Sequence, residues 1–118
     1  PVIIAAGWKP GCSTDTDATL LAKTFGAQEI INLSNVDYVY DCDPASNPSA
    51  QRFERVDWKT YRSIVGDTWV PGSSAPFDPI ASKLAQKMKL RVLFAKGTDI
   101  EQVKKVLGGR AFRGTIIE

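Results

Sequence analysis

The chain has 118 residues, 15 Lys and Arg against 13 Asp and Glu, two Cys and no His. That length holds one compact domain, and 43% hydrophobic with 24% charged residues is an ordinary globular composition. Without histidine there is no Ser–His–Asp triad and little scope for zinc, so any chemistry falls to backbone amides, hydroxyls, carboxylates and Lys/Arg.

Charge is unevenly spread. Residues 1–60 carry five basic and eight acidic groups, net −3, and residues 61–118 carry ten and five, net +5. The later lysines (Lys83, Lys87, Lys89, Lys104, Lys105) fall at helix surfaces without interleaved aromatics, so they read as solvated faces and no nucleic-acid partner is expected. The longest apolar runs, Val2–Ala6 and Leu90–Ala95, are far short of the roughly 20 residues of a membrane span, so no membrane partner is expected either. Cys12 and Cys42 lack a CxxC partner; they read as two free thiols of a reducing cytoplasm.

In chain order, Val2–Ala6 is a run of β-branched and small residues that predicts a strand buried on both faces. A loop of turn formers and hydroxyls, Gly7–Thr14, follows it. Asp15 to Phe25 then places Ala18, Leu21, Ala22 and Phe25 on one stripe of a helix, with Ser13 or Thr14 as N-cap and Gly26 as the stop. Gln28–Leu33 predicts the next buried strand, making a parallel β-α-β unit, and Val36–Tyr40 a further extended piece. Asp57 caps a short helix to Val65, and residues 66–79 read as loop. Asp78 with Pro79 opens a helix to about Lys89. Leu90–Ala95 predicts a strand, Thr98-Asp99-Ile100-Glu101 a capping box for a helix to Leu107, and Gly114–Ile117 a last strand. Such alternation implies an α/β fold, a three-layer α/β/α sandwich on a mainly parallel sheet, in one domain over residues 1–118. Ligands of such sheets collect beyond the carboxyl ends of the strands.

Two loops meet that rule. In Gly7–Thr14, Gly7 and Gly11 permit close backbone approach, Lys9 offers a mobile charge, and Ser13 and Thr14 sit where helix amides attract an anion. Asp15 would repel a bound phosphate unless a cation lies between them. A plain βα loop whose hydroxyls only cap the helix accounts for the same residues. In the second loop, Ser34–Pro44, Asp37, Asp41 and Asp43 crowd three negative charges without the spacing of an EF-hand, and Tyr40 can stack on a flat ring. A polar hairpin with Asx-turns and an inward Tyr40 accounts for that one too. Ala95-Lys96-Gly97-Thr98 also joins a strand to a helix and could take an anion. It does not fit the Walker pattern, and Lys96 reads as structural or solvent-facing.

Taken together, these stretches resemble the C-terminal half of the amino acid kinase family, in particular its archaeal-type uridylate (UMP) kinase branch. Gly7-Trp8-Lys9-Pro10-Gly11-Cys12-Ser13-Thr14-Asp15 is similar to that branch's Gly-x-x-Pro-Gly-His-Ser/Thr-Thr-Asp loop, with Cys12 in place of His. Ser34-Asn35-Val36-Asp37-Tyr38-Val39-Tyr40-Asp41-Cys42-Asp43-Pro44 resembles Thr-Asn-Val-Asp-Gly-Val-Tyr-x-x-Asp-Pro, with Tyr38 in place of Gly, and Gly114-Thr115-Ile116-Ile117 resembles the closing strand. The resemblance implies phosphoryl transfer from ATP, with Mg²⁺, to UMP. It places Gly7, Trp8, Lys9, Pro10, Gly11, Cys12, Ser13 and Thr14 around the acceptor nucleotide, Ser34, Asn35, Tyr40 and Asp43 around ATP, and Asp15 as the residue that organises the cations. It also implies a homo-oligomer, or pairing with an N-terminal half that this chain lacks. The alternative on the same scaffold is a non-catalytic relative that binds an anion or nucleotide, or holds an oligomer together.

Overall fold

The computed structural model describes residues 2–118. Helix α1 spans Thr14–Phe25, strand β1 Glu29–Ser34, β2 Val39–Tyr40, β3 Arg52–Phe53 and β4 Arg55–Val56. Then come α2 (Trp58–Val65), α3 (Pro79–Met88), β5 (Arg91–Lys96), α4 (Ile100–Leu107) and β6 (Gly114–Ile117). The main sheet runs β1-β5-β6-β4, while β2 and β3 form a separate antiparallel ribbon. Within the main sheet β1 lies parallel to β5 and β4 to β6, while β5 and β6 run antiparallel.

The helix starts follow from local chemistry. Ser13, Asp57 and Asp78 each sit in extended backbone and accept a hydrogen bond from an otherwise unpaired amide of the first turn. At α4 the accepting side chain is that of Asp99, not Thr98, because its carboxylate reaches the Gln102 N–H. Gly26 closes α1 in the left-handed region at φ 69°.

Strand alternation sorts the side chains into two layers. Ile30, Val92 and Phe94 face α1, α2 and α3, where the larger core is built on Trp58, Tyr61 and Phe77. Ile31, Leu93 and Ala95 face α4 and meet Val106 and Phe112. The larger core also carries polar ties: the Trp58 indole N–H donates to the Leu90 carbonyl at 2.8 Å, and the Tyr61 hydroxyl both donates to the Phe77 carbonyl and accepts its N–H, each at 2.7 Å. Thr115, fully buried in β6, accepts from the Val39 N–H at 2.9 Å and donates to the Phe53 carbonyl, which pins the ribbon to the sheet.

Several expectations need correction. Val2–Ala6 is not a strand: Val2, Ile3 and Ile4 are 92%, 69% and 94% exposed. Its composition suits a strand, but β1 is the sheet's edge and the segment runs unpaired toward α1. For the same reason Leu21 and Phe25, expected in the helix stripe, stay on the open side of α1; Ala22 of that stripe is buried as expected, and Asp17 and Thr19 join it. The extended piece at Val36–Tyr40 shrinks to Val39–Tyr40, because residues 35–38 bend. Two-residue β3 and β4 carry too few residues for a periodicity to show. Among the described residues no helix is long and apolar enough to cross a membrane.

Gly114 fixes how closely β6 can approach β5. A Cβ there would collide with the Phe94 carbonyl oxygen and the Phe112 ring. Gly114→Ala is therefore expected to cost about 2–3 kcal/mol or to prevent folding. Urea unfolding followed by Trp fluorescence checks this, and an unchanged midpoint would mean that the β5–β6 register is wrong.

Candidate functional site

The site begins at α1. The Gly7–Thr14 loop is held by Asp17, whose Oδ2 accepts the Trp8 N–H at 3.0 Å, and by a turn in which the Cys12 N–H donates to the Lys9 carbonyl at 3.2 Å. Gly11 takes φ +86°, which a side chain would strain. Lys9 Nζ lies 4.1 Å from the centre of the Trp8 ring, and Trp8 and Pro10 are exposed. Gly7 and Trp8 line a hollow of about 540 Å³ between residues 5–8 and α1. Cys12 and Cys42 are unbridged thiols.

Ser13 is spent on structure. Its Oγ accepts the Thr16 N–H at 3.0 Å and donates to Asp78 Oδ2, and its carbonyl accepts the Asp17 N–H. The groups left for an anion at this helix start are the Thr14 and Asp15 N–H groups and the exposed Thr14 hydroxyl.

Asp15 and Asp78 are cross-bonded. Asp15 Oδ2 accepts the Asp78 N–H at 3.0 Å, and Asp78 Oδ2 in turn accepts from Ser13 and Thr16 of the Asp15 helix. Asp78 Oδ1 meanwhile caps α3 through the Ile80 and Ala81 amides at 2.7 and 2.9 Å. Burial holds the Asp15 carboxyl above the usual carboxylate range; the Asp78 N–H pulls it down, and the nearby Asp78 charge raises it again. Tyr61, beneath Phe77, is pushed up chiefly by burial.

The second loop meets the first through this segment. Asn32 shares the face of β1 on which Ile30 meets the larger core, and its Nδ2 donates to the Pro76 carbonyl at 3.0 Å. Ser34, two residues on at the strand tip, shares that face. Residues 76–78 thus join the carboxyl end of β1 to the start of α1, and the two predicted loops share one end of the sheet. Ser34 Oγ lies 3.3 Å from Asn35 Oδ1, and Asn35 is exposed.

Tyr40 and Asp43 stand further out, on the ribbon and its hairpin. Tyr40 is half-buried and pairs with Arg52. Asp43 accepts the Ala45 N–H and the Ser46 hydroxyl, both at 2.9 Å, and these bonds hold its carboxyl below the usual range. Neither residue hydrogen-bonds Ser34 or Asn35 among the described residues. Tyr38 is buried rather than standing in the cleft, with the Arg52 guanidinium 4.7 Å over its ring. Asp37 pairs with Arg113 at 3.9 Å, and Arg113 reaches on to Asp99 at 2.5 Å.

Sequence reasoning missed Asp78 and Asn32 as members of the site. Asp78-Pro79 carries a strong local capping signal, and its bonds to Ser13, 65 positions away, leave no trace in spacing. A second concavity, about 600 Å³, lies elsewhere, on the α4 side among Arg91, Leu93, Arg110 and Phe112. Among the described residues no group of three His, Cys, Asp or Glu is placed to hold a metal ion.

Comparison with known proteins bears on this arrangement. Residues 2–96 match the amino acid kinase family. The uridylate kinase of Hyperthermus butylicus is 34% identical over 108 residues, covering 92% of this chain and 48% of that protein. That of Methanococcus vannielii is 36% identical over 117 residues, covering 98% and 51%. The crystal structure of uridylate kinase from Archaeoglobus fulgidus superposes with a TM-score of 0.78 at 34% identity, over 95% of this chain and 50% of that one. The chain spans about half the length of the curated relatives it matches.

Because the Asp15 pKa is raised, its ionisation costs stability: the contribution of the protonated form is complete below the ordinary carboxylate value and is lost as pH rises through the raised one. Asp15→Asn keeps an acceptor for the Asp78 N–H and removes the charge. The stability of the variant relative to wild type is expected to grow as pH rises from about 4 to 7, and urea midpoints at several pH values check it.

Proposed function

Because the chain belongs to the amino acid kinase family, we propose that it forms the nucleotide-gripping part of a uridylate kinase that moves the terminal phosphoryl of ATP to UMP. The observation that carries this reading is the convergence of the α1 loop and the β1 tip on residues 76–78. It sets two anion-directed ends side by side. Phosphoryl transfer asks the protein for positioning and charge neutralisation rather than covalent chemistry, so a site without histidine suffices.

On this reading the acceptor sits against Gly7 to Thr14, its phosphate on the Thr14 and Asp15 amides. The neighbouring Ser13 and Thr16 hydroxyls, tied to Asp78, keep those amides aimed. Ser34, Asn35, Tyr40 and Asp43 face ATP. Among the described residues no cluster of three or more acidic or sulfur ligands is grouped to hold a metal, so magnesium would arrive on the phosphates of ATP and supply neutralising charge there. Asp15 is the carboxylate nearest the acceptor amides, fixed by the Asp78 N–H, and we assign it to ordering the cations around the phosphates. The assembly is read as a homo-oligomer or as a pairing with an N-terminal half, which would cover the exposed Val2–Ile4 strip, and the setting as cytoplasmic, where two unbridged thiols are at home.

A coupled ADP-release assay tests this, run on the chain alone and with the N-terminal half of a uridylate kinase relative supplied. UMP-dependent turnover exceeding that with CMP or AMP is expected once both halves are present. Asp43→Ala is expected to raise the KM for ATP about tenfold with a smaller change for UMP. Nucleotide binding without any turnover would instead mark a binding-only relative of the family.

A further inference from the structure

Lys96 occupies the carboxyl tip of β5, the strand beside β1 in the sheet, and its register partner is Ser34. The Gly97 N–H donates to the Ser34 carbonyl at 2.8 Å, so the two strand tips are closed together as a unit. The face follows from alternation along β5. Val92 and Phe94 enter the core under α1, α2 and α3, whereas Leu93 and Ala95 enter the one under α4. Lys96 therefore points with Phe94 to the side where Asn32 holds residues 76–78, and Asp78 holds Ser13 and Asp15.

Six of the chain's fifteen cations pair with a carboxylate among the described residues, and Lys96 is one of those that do not. Arg52, Arg55, Arg62, Arg91, Lys104 and Arg113 each sit within 4.0 Å of a carboxylate. Lys96 is only half-buried, yet among the described residues its ammonium has neither an ion-pair partner nor a hydrogen-bond acceptor. Asp78 is met by four donors and Asp99 is bonded to Arg113, while Asp37 lies 3.9 Å from Arg113 and Asp15 keeps one carboxylate oxygen beyond its bond to the Asp78 N–H. An unpaired ammonium at the tips of two parallel strands, on the side of the sheet where a helix start also presents amides, is placed for an anionic ligand.

We propose that Lys96 is a phosphate-binding residue of the donor side, its ammonium gripping the phosphates of ATP between the β1 tip and the α1 loop. This deepens the uridylate kinase reading and rests on it. It also supplies from within this chain the positive charge that a phosphate beside Asp15 requires. A lysine suits the task because its ammonium is a compact charge on a flexible stem, able to follow a phosphoryl group as it moves. The base and ribose of ATP lie with Asn35 and Tyr40, so Lys96 reads the phosphates and not the nucleoside.

The test is calorimetric titration of the chain with ATP and, separately, with adenosine, for wild type, Lys96→Met, Lys96→Arg and Asn35→Ala. Lys96→Met is expected to weaken ATP binding about tenfold and leave adenosine binding unchanged. Lys96→Arg should restore most of the ATP affinity, and Asn35→Ala should weaken both ligands. Wild-type ATP affinity in Lys96→Met, with Asn35→Ala still impaired, overturns the role of Lys96 and leaves the ATP site standing. Equal weakening of ATP and adenosine in Lys96→Met shows that the residue acts through the fold and likewise overturns it. If wild type binds neither ligand, the assignment of the β1 tip to ATP fails, and Lys96 falls with it.

Discussion

The rest of the molecule depends on the exchange between Asp15 and Asp78, in which each carboxylate accepts from the other's segment. Hydrogen bonds to charged groups contribute about 1.5–3 kcal/mol each, and leaving such an acceptor unmet inside a protein costs at least as much. Two carboxylates this close would otherwise repel. They are tolerated because amide and hydroxyl donors meet them, and because burial favours the protonated form of Asp15. The exchange sets where α1 and α3 begin relative to one another. Through Pro76 and Asn32 it also sets where both stand over the tip of β1.

That exchange marks the boundary of what the sequence discloses. Helices α1, α2 and α3 and strands β1 and β5 were legible because their signals are local: a capping Ser or Asp, a proline at the first helical position, an unbroken apolar run. Ser34–Asn35 was legible as a strand-tip loop for the same reason, whereas Gly7–Thr14, read likewise, leads into α1 from a segment that is not a strand. The placement of Tyr38 was not, since a tyrosine under an arginine 14 positions on is a tertiary event. Nor was the double use of Asp78, whose cap on α3 satisfies every local expectation and hides its second set of partners. Val2–Ala6 failed in the opposite way: its side chains favour a strand, but a strand also needs a neighbour with free backbone groups in register, and composition cannot supply that.

The same segment contributes several of the exposed apolar side chains. Val2, Ile3, Ile4, Leu21 and Phe25 are exposed, Trp8 is exposed beside the hollow it shares with Leu21, and Leu33 is exposed on the edge strand β1. Apolar side chains gathered at an unpaired sheet edge are what a soluble chain ordinarily covers. Helix α1 consequently turns its polar residues inward, with Thr19 bonded to the Asp15 carbonyl and Asp17 to the Trp8 amide. The loop keeps its place through these polar ties although the run before it is unpaired.

Under the proposed function, division of labour among the oxygen atoms is how a site so rich in carboxylates would address phosphates. Asp78 accepts from four donors, so its negative charge is met within the fold before any ligand arrives, and Asp37 has Arg113 3.9 Å away. Asp15 has one oxygen committed to the Asp78 amide. The Ser13 hydroxyl, which the motif alone would assign to the ligand, is committed to Asp78, and that commitment turns the Thr14 and Asp15 amides outward. What faces the cleft is then a small set of donors held rigidly by groups that do not themselves touch it. Preorganisation of this kind is worth more to a charge-transfer reaction than additional contacts, because no reorientation remains to be made when the charge moves.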